Sequence, residues 1–242
     1  MEDLPNQLFT AIEIGNAKLV TQLLDKGAPM NFELFAKATR EKQYDILQSI
    51  LDFGWDINTE SAIDNKVPSA LVYTFDDVAL ATWFLKHGAD PNKRCQLRDA
   101  TPLSYAIFEA PFMIIELFFQ YGGSTECGQL LHYASMRYDP DGLRILKHLY
   151  NKDPCIMDRA NDYLDEGYEE FAMNYRFGLC TPIQYAARAG SLESVRFLVE
   201  QGGDPWRLDP YRRTALSYAV RHQHEPIKHY LTHLKNESYV TV

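Results

Sequence analysis

The spacing of glycines that follow apolar segments constrains the fold of this chain more than any other sequence feature. Gly54, Gly88 and Gly122 each come after an apolar run of helical character, and neighbouring members of this set are 34 residues apart. Glycine commonly ends a helix, because it adopts the left-handed backbone conformation without a steric penalty. A period of this length is typical of repeats built from pairs of helices and is far too long for a coiled coil.

A second marker recurs at the opposite end of the repeating unit. Thr-Pro-Leu-Ser-Tyr-Ala begins at Thr101, Thr-Pro-Ile-Gln-Tyr-Ala at Thr181 and Thr-Ala-Leu-Ser-Tyr-Ala at Thr214. The threonine hydroxyl can cap a helix N-terminus, and proline at the first helical position loses no needed N–H. We therefore expect each marker to open the first helix of a unit, with its small alanine letting neighbouring helices approach closely.

These markers resemble those of the ankyrin-repeat family, whose units open with Thr-Pro-Leu-His-x-Ala and close with Gly-Ala-Asp-x-Asn. The most complete match covers residues 180–204. The resemblance implies an all-α solenoid, curved, with about six to seven helix-turn-helix units and short β-hairpin loops. It is uninformative about activity, because the family serves many binding roles on one scaffold.

The markers also divide the chain. We expect a single domain over residues 1–242, with units at approximately 4–31, 32–58, 64–92, 96–124, 125–153, 176–206 and 209–236. Only 27 residues separate Gly27 from Gly54, so a tight turn is expected between the first two units. Leu130 and Pro182 are 52 residues apart, where about 33 are expected for this repeat class. This difference predicts an insertion of about 19 residues between the fifth and sixth units, within 153–178.

Composition limits the classes of partner. The chain has 24 Lys and Arg against 33 Asp and Glu, a formal net charge of −9, which opposes binding to nucleic acid or to an anionic membrane. The most apolar stretch is too short and too polar for a bilayer span, and the first residues lack a signal-peptide pattern. The 4 cysteines are widely spaced, which fits an intracellular protein, cytoplasmic or nuclear. We expect a monomer.

The insertion is the first candidate contact surface. It combines seven acidic residues with five aromatic ones, among them Tyr163 and Tyr168. Insertions in solenoids map to loops, which often carry function. Two interpretations remain open: the aromatic residues pack against the neighbouring units, or they contact a partner directly.

Five tyrosines occupy the same position in successive units, namely Tyr73, Tyr105, Tyr133, Tyr185 and Tyr218. Aligned by the stack, their rings could form a ligand platform. Packing between adjacent first helices is the favoured interpretation, because aromatic stripes bury large areas and usually serve interiors.

Partner specificity in the ankyrin-repeat family normally lies on the hairpin tips and at the ends of the first helices. In this chain the tip residues are Arg98, Tyr211 and Arg213, and the helix-end residues are Phe108, Arg137, Arg188 and Arg221. Arginine and aromatic residues are enriched at interface hot spots. Trp206 stands where the repeat usually has Asn, and it either covers the following unit or anchors a partner. Arginines gathered on the concave side would suit an acidic peptide or a carboxylate-bearing small molecule.

Motifs that carry catalysis are absent from the sequence. It contains no nucleophile elbow, phosphate-binding loop, dinucleotide fingerprint or zinc-protease motif. His229 and His233 are spaced to share a metal on a helix, but without accompanying Cys or carboxylates they fit solvated cap residues better. The sequence therefore predicts no catalytic residue, cofactor or metal site.

The predicted function is a non-catalytic protein–protein interaction module. It would bind a protein or peptide through the concave groove, the hairpin tips and the insertion. The alternative is a small-molecule-binding protein or an atypical enzyme with the insertion as a lid over the groove.

Overall fold

The computed structural model of the chain describes residues 3–62, 67–96, 98–164 and 179–240. Over these residues the α-helices are α1 Leu4–Glu13, α2 Ala17–Asp25, α3 Phe32–Arg40, α4 Tyr44–Asp52, α5 Val78–Lys86, α6 Pro102–Glu109, α7 Phe112–Gln120, α8 Leu130–Ser135, α9 Asp141–Lys152, α10 Pro182–Ala189, α11 Leu192–Glu200, α12 Ala215–Arg221 and α13 Glu225–Val240. Two 3-10 helices cover Ala70–Thr74 and Pro154–Arg159. No helix among the described residues is long and apolar enough to cross a bilayer.

The helices form antiparallel pairs stacked in two layers. One layer contains the first helix of each pair, in the order α1, α3, the 3-10 helix Ala70–Thr74, α6, α8, α10 and α12, and each contacts the next. The other layer contains the second helices, α2, α4, α5, α7, α9, α11 and α13. This two-layer stack is the ankyrin-type solenoid that the repeat markers predict.

The loops between pairs differ from the prediction in one respect. The described residues contain no β-strand, so the predicted β-hairpins are reduced to turns. Cys95 N–H donates to the Ala100 carbonyl at 3.0 Å, and Asp209 N–H donates to the Arg213 carbonyl at 2.9 Å. These closing bonds make hairpin-like turns but no strand ladder among the described residues. The first two units lack even this loop, because Asn31 directly caps α3 through the Leu34 N–H at 3.0 Å.

Local sequence explains where the helices begin and end. Thr101 and Ser104 form a reciprocal capping box at the start of α6, and Thr214 and Ser217 form the same box at α12. At the other end, Gly88 follows α5 with φ +91°, a conformation that side-chain-bearing residues rarely adopt. The two markers therefore act as the start and stop signals of the helix pairs.

The core runs continuously between the two layers. Phe35, Phe84 and Phe118 are fully buried, and the rings of Phe35 and Phe84 lie 5.8 Å apart across adjacent units. Full burial of a side chain of this size stabilises the fold by about 2–3 kcal/mol. The marker alanines Ala106 and Ala186 are also fully buried, as expected for closely approaching first helices.

Candidate functional site

Three asparagines brace successive units on the loop side of the stack. Asn58, Asn92 and Asn161 each donate from Nδ2 to the carbonyl of the glycine that ends the next unit's second helix. Each also accepts, at Oδ1, the backbone N–H two residues after that glycine. For Asn161 the partners are Gly202 at 3.1 Å and Asp204 at 2.6 Å. The junction that carries the insertion therefore has the same brace as the regular junctions.

A second shared bond locates the insertion. Leu164 N–H donates to the Cys180 carbonyl at 3.2 Å, in the position of the bond between Cys95 and Ala100. The bonded residues are sixteen apart in one loop and five apart in the other, so eleven of the extra residues lie between Leu164 and Cys180. Tyr168 and the rest of 165–178 lie outside the described residues.

The first part of the insertion packs on the stack. Ile156 and Met157, on the 3-10 helix, are buried. Tyr163 donates its hydroxyl proton to the Leu208 carbonyl, and the Arg207 guanidinium lies 4.7 Å from the Tyr163 ring centre. For Tyr163 these contacts favour the packing interpretation.

Arg137 does not have the role that the sequence suggested. Its side chain is only 5% exposed, and Nη1 donates to the carbonyls of Ile107 and Ala110 at 3.0 Å each. Nε donates to Asp139 Oδ1 at 2.8 Å, and this pairing lowers the pKa of the Asp139 carboxyl. Arg137 therefore caps the C-terminal end of α6, where the two carbonyls have no following helical turn to supply N–H donors. It is removed from the candidate contact surface.

Arg98 is also engaged inside the molecule. Its Nη2 donates to the Tyr105 hydroxyl, and its guanidinium lies 5.5 Å from the centre of the Tyr105 ring. Arg98 thereby connects its loop to α6, the first helix that follows.

Asp209 centres a buried polar cluster at the last loop. Its side chain accepts from Arg213 Nε and from the Tyr218 hydroxyl, both at 2.7 Å, and also from the backbone N–H groups of Tyr211 and Arg213. Cys180 Sγ donates to the Tyr218 hydroxyl at 3.1 Å. Burial raises the pKa of the Cys180 thiol to about 11 and also raises the pKa of Tyr218. Arg213 is thus paired internally.

Asp209 was not among the predicted site residues. The available signal was an acidic residue four positions before an arginine at a loop tip, a spacing that lets the two side chains meet.

His132 fastens the fifth unit to the loop that follows it. Its Nε2 lies 2.9 Å from the Asp162 carbonyl, and burial lowers the pKa of the imidazole to about 4. Gln184 makes the equivalent bond in the sixth unit, where Nε2 donates to the Arg207 carbonyl at 2.7 Å. These bonds give His132 and Gln184 the same structural role in successive units.

An exposed apolar depression lies at the ends of the first helices. We call it the first-helix groove; it has a volume of about 150 Å³ and is lined by Phe108, Met136, Tyr138, Tyr185, Arg188 and Ala189. Phe108 is 39% exposed and Tyr138 is 76% exposed, which is unusual for large aromatic side chains. A neighbouring depression of about 370 Å³ continues along the layer beside Tyr73, Glu109 and Pro111.

The tyrosine column forms part of the same face. Tyr218 is buried, while Tyr73, Tyr133 and Tyr185 are partly buried and pack against the core. The Tyr133 ring meets the Phe108 ring at 6.4 Å between centres. Packing is therefore the main role of the column.

The groove ends in a basic cluster. His224 contacts the Arg188 carbonyl through Nε2 at 3.0 Å. Burial, followed by the charges of Arg188, His224 and Arg221, lowers the pKa of His222. No ion pair within the described ranges involves Arg188 or Arg221. Of the arginines expected to gather on one face, these two supply charge that no carboxylate neutralises.

The last loop carries the remaining predicted residues. Trp206 is half-buried against the core, with Lys235 Nζ 6.0 Å from its ring. An asparagine at this position would find no glycine at the end of the next second helix to bond, because α13 continues to Val240. Tyr211 is 43% exposed at the tip.

A larger pocket of about 530 Å³ lies on the loop side, between the tips and the first part of the insertion. Its lining is mixed, with Arg94, Arg159 and Arg207 balanced by Asp99, Glu126 and Asp162. Arg94 pairs with Asp99 at 2.9 Å, and Arg159 donates to the Glu126 carbonyl at 2.9 Å. This pocket does not include Tyr185 or Arg188.

Metal-binding side chains do not cluster in the part of the chain that the structure describes: no three His, Cys, Asp or Glu residues come together. His229 and His233 stack on α13 with ring centres 6.5 Å apart.

Comparisons with known proteins agree with this architecture. Residues 131–241 match the family model described as ankyrin repeats (3 copies). The Caenorhabditis elegans ankyrin repeat and KH domain-containing protein mask-1 is 24% identical over 95 residues, which are 37% of this chain and only 4% of that protein. The human ASB11 ankyrin repeat domain superposes with a TM-score of 0.54 at 18% identity, over 88% of this chain and 90% of that one. With the braced stack of helix pairs, these matches show the ankyrin-repeat fold, and the family model matches residues 131–241 of it.

Proposed function

We propose that this protein is a non-catalytic interaction module that holds a protein or peptide partner on its first-helix groove. Ankyrin repeats are generally protein–protein interaction modules. The observation that supports the groove is the exposure of Phe108 and Tyr138 next to Arg188 and Arg221, which form no ion pair with another described residue. Exposed aromatic and arginine side chains of this kind form the energetic centres of interfaces.

The lining of the groove favours one kind of partner segment. A large apolar side chain would enter between Phe108, Met136 and Tyr185, where it gains buried area. A carboxylate near it would meet Arg188 and Arg221, whose planar guanidinium groups bind carboxylates through two hydrogen bonds. The preferred partner is therefore a protein segment with an apolar anchor followed by acidic residues.

Other residues predicted from the sequence are included in this proposal as secondary contacts. We propose that Tyr211 and Trp206 of the last loop, together with Tyr163 and Tyr168 of the insertion, also contact the partner. We propose that the protein works as a monomer inside the cell, where its free cysteines stay reduced. Nucleic acid, membranes, metals and cofactors have no part in the proposed function.

Site-specific photo-crosslinking tests the groove directly. A benzophenone amino acid replaces Phe108 in one bait and Tyr138 in another, and the baits are irradiated in a lysate of the source organism. A matched control bait carries the same group at Phe53, which is 45% exposed and follows a second helix. We expect the two groove baits to crosslink to the same protein and the control bait to leave it uncrosslinked.

A charge variant completes the experiment. Arg188→Glu in the Phe108 bait should reduce the yield of that crosslink at least about tenfold, as expected when a buried charge pair loses one member. Crosslinking from Phe53 at an equal yield, or an Arg188→Glu bait that crosslinks like its parent, would refute the groove as the binding surface.

A small-molecule ligand is the second candidate function, and one observation favours it. The loop-side pocket of about 530 Å³ falls in the size range of ligand sites. Native mass spectrometry of protein purified from the source organism tests it: a retained small molecule that is lost on Arg159→Ala would support this candidate. Protein with no added mass would count against it.

A further inference from the structure

A second surface with a distinct character lies on the outer layer, away from the first-helix groove. Phe112 of α7 and Pro140, Leu143, Arg144, Lys147, His148 and Asn151 of the α9 region line a depression of about 470 Å³. We call it the α7–α9 groove. Arg144, Lys147, His148 and Asn151 recur at helical spacing and so share one face of α9, while Ile145, Leu146 and Leu149 fill the core.

The floor of the α7–α9 groove is aromatic. Phe112 and Phe119 lie seven residues apart on α7, and both rings contact the His148 imidazole, with centres 5.0 and 5.5 Å away. The Arg144 guanidinium lies 3.7 Å from the Phe112 ring centre. Lys152 Nζ lies 4.6 Å from the Phe119 ring centre. The cations are thus held over apolar rings, which leaves their outward side able to meet an anion.

The charges in this groove are largely uncompensated. The described residues that line it include the cations of Arg144 and Lys147, the His148 imidazole and no carboxylate. Arg144 has Asp141 at 3.9 Å, a pair in which both side chains are exposed and which is therefore weak. Lys147 takes part in none of the ion pairs found between described residues. A basic patch of this kind is unexpected in a chain with a formal net charge of −9.

His148 adds an independent observation. Its Nε2 atom is buried and has no hydrogen-bond partner within the described part of the chain. Buried polar atoms nearly always have a partner, so the described residues leave part of the hydrogen-bonding capacity of this imidazole unused. Burial lowers the pKa of His148, and the charges of Lys152 and Arg144 act in the same direction against that of Glu116.

We propose that the α7–α9 groove binds an acidic segment of a second protein partner. An apolar side chain of that segment would rest on Phe112 and Leu143, and its carboxylates would pair with Arg144 and Lys147. The groove lies in the second-helix layer, so its occupant and the occupant of the first-helix groove can bind at the same time. The protein then connects two partners instead of binding only one.

Fluorescence anisotropy with a defined probe tests this proposal. The probe is a labelled peptide, Glu-Asp-Glu-Phe-Asp-Glu-Leu-Glu, titrated with the full chain at low ionic strength. Arg144→Glu with Lys147→Glu should weaken binding at least about tenfold. The control, Lys18→Glu with Lys86→Glu, makes the same change in net charge at two exposed positions and should stay within about twofold of the parent.

The outcomes separate local recognition from bulk charge. Circular dichroism first confirms that both double variants keep the helical content of the parent. Equal losses in the two variants, an unaffected Arg144/Lys147 variant, or no binding to the parent would each overturn the proposal. A single-stranded DNA of equal charge serves as a second arm; if it binds as tightly through the same two residues, the acidic-protein assignment is wrong.

Discussion

The loop edge of the stack and the first-helix groove use similar residue types for opposite purposes. At the loop edge, Arg98 donates to the Tyr105 hydroxyl and Arg213 donates to Asp209. Arg137, at the end of a first helix, likewise donates to carbonyls within the molecule. In the groove, Arg188 and Arg221 have no carboxylate partner among the described residues, and Phe108 stays 39% exposed. An arginine next to an aromatic residue therefore does not by itself indicate a contact surface. Whether it can contact a partner depends on whether its guanidinium is already bonded within the molecule.

This difference separates stability from binding. Substitutions at the loop edge should weaken the fold, because they leave buried polar groups without partners. Substitutions in the first-helix groove should leave the fold nearly unchanged and remove the partner. The predictions that follow test this separation, beginning with the largest effect on stability.

Asp209→Ala should have the largest effect. It removes the acceptor of Arg213 and of the Tyr218 hydroxyl inside a buried cluster, and breaking such a pair costs about 3–5 kcal/mol. Urea unfolding followed by circular dichroism measures the loss. A loss below about 1 kcal/mol would show that the cluster does not hold the last loop.

His132 should make stability depend on pH. Its pKa of about 4 in the folded chain lies below the ordinary value of 6.5, so the folded state binds fewer protons between these two values. The full stability is therefore present above pH 6.5 and falls as the pH drops towards 4, by about 3 kcal/mol from this residue.

His132→Gln should remove that part of the pH dependence, since Gln184 shows that an amide can make the same bond without titrating. The exposed His229→Gln serves as the control and should keep the parent slope. Unfolding free energies measured at several pH values across this window give the comparison; identical slopes for His132→Gln and the parent would contradict the assignment.

Asn92→Ala and Asn161→Ala should have smaller effects of similar size. Each removes two hydrogen bonds to the backbone, worth about 1–2 kcal/mol together at partly exposed positions. The two losses should add in the double variant, because the sites share no partner. A loss at Asn161 that is much smaller than the loss at Asn92 would mean that the insertion loosens its junction.

Repeat chemistry made the fold predictable. The residue type alone indicates what Gly88 and Thr101 do: Gly88 ends a helix in the left-handed conformation, and the Thr101 hydroxyl caps the start of one. The periodic markers were therefore enough to place the helix pairs. The lack of strands among the described residues was not predictable, because a hairpin-like turn and a short β-hairpin can have the same loop sequence.

The site was predictable only in part. Phe108 and Arg188 follow from their place at the ends of first helices. The internal role of Arg137 depends on Asp139 and on two carbonyls of the preceding unit, about thirty residues away, which no local pattern shows. The α7–α9 groove likewise arises only when Phe112 and His148 of neighbouring units meet.

The most direct test of the account uses one variant with two readouts, Phe108→Ala combined with Arg188→Glu. Urea unfolding is measured on this variant, and partner capture is measured on the same variant with the benzophenone amino acid in place of Tyr138. We expect the free energy of unfolding to stay within about 1 kcal/mol of the parent, because both side chains are partly exposed, and the partner to be lost. A variant that unfolds more easily by about 3 kcal/mol, or one that retains the partner, would contradict the separation of fold and binding surface.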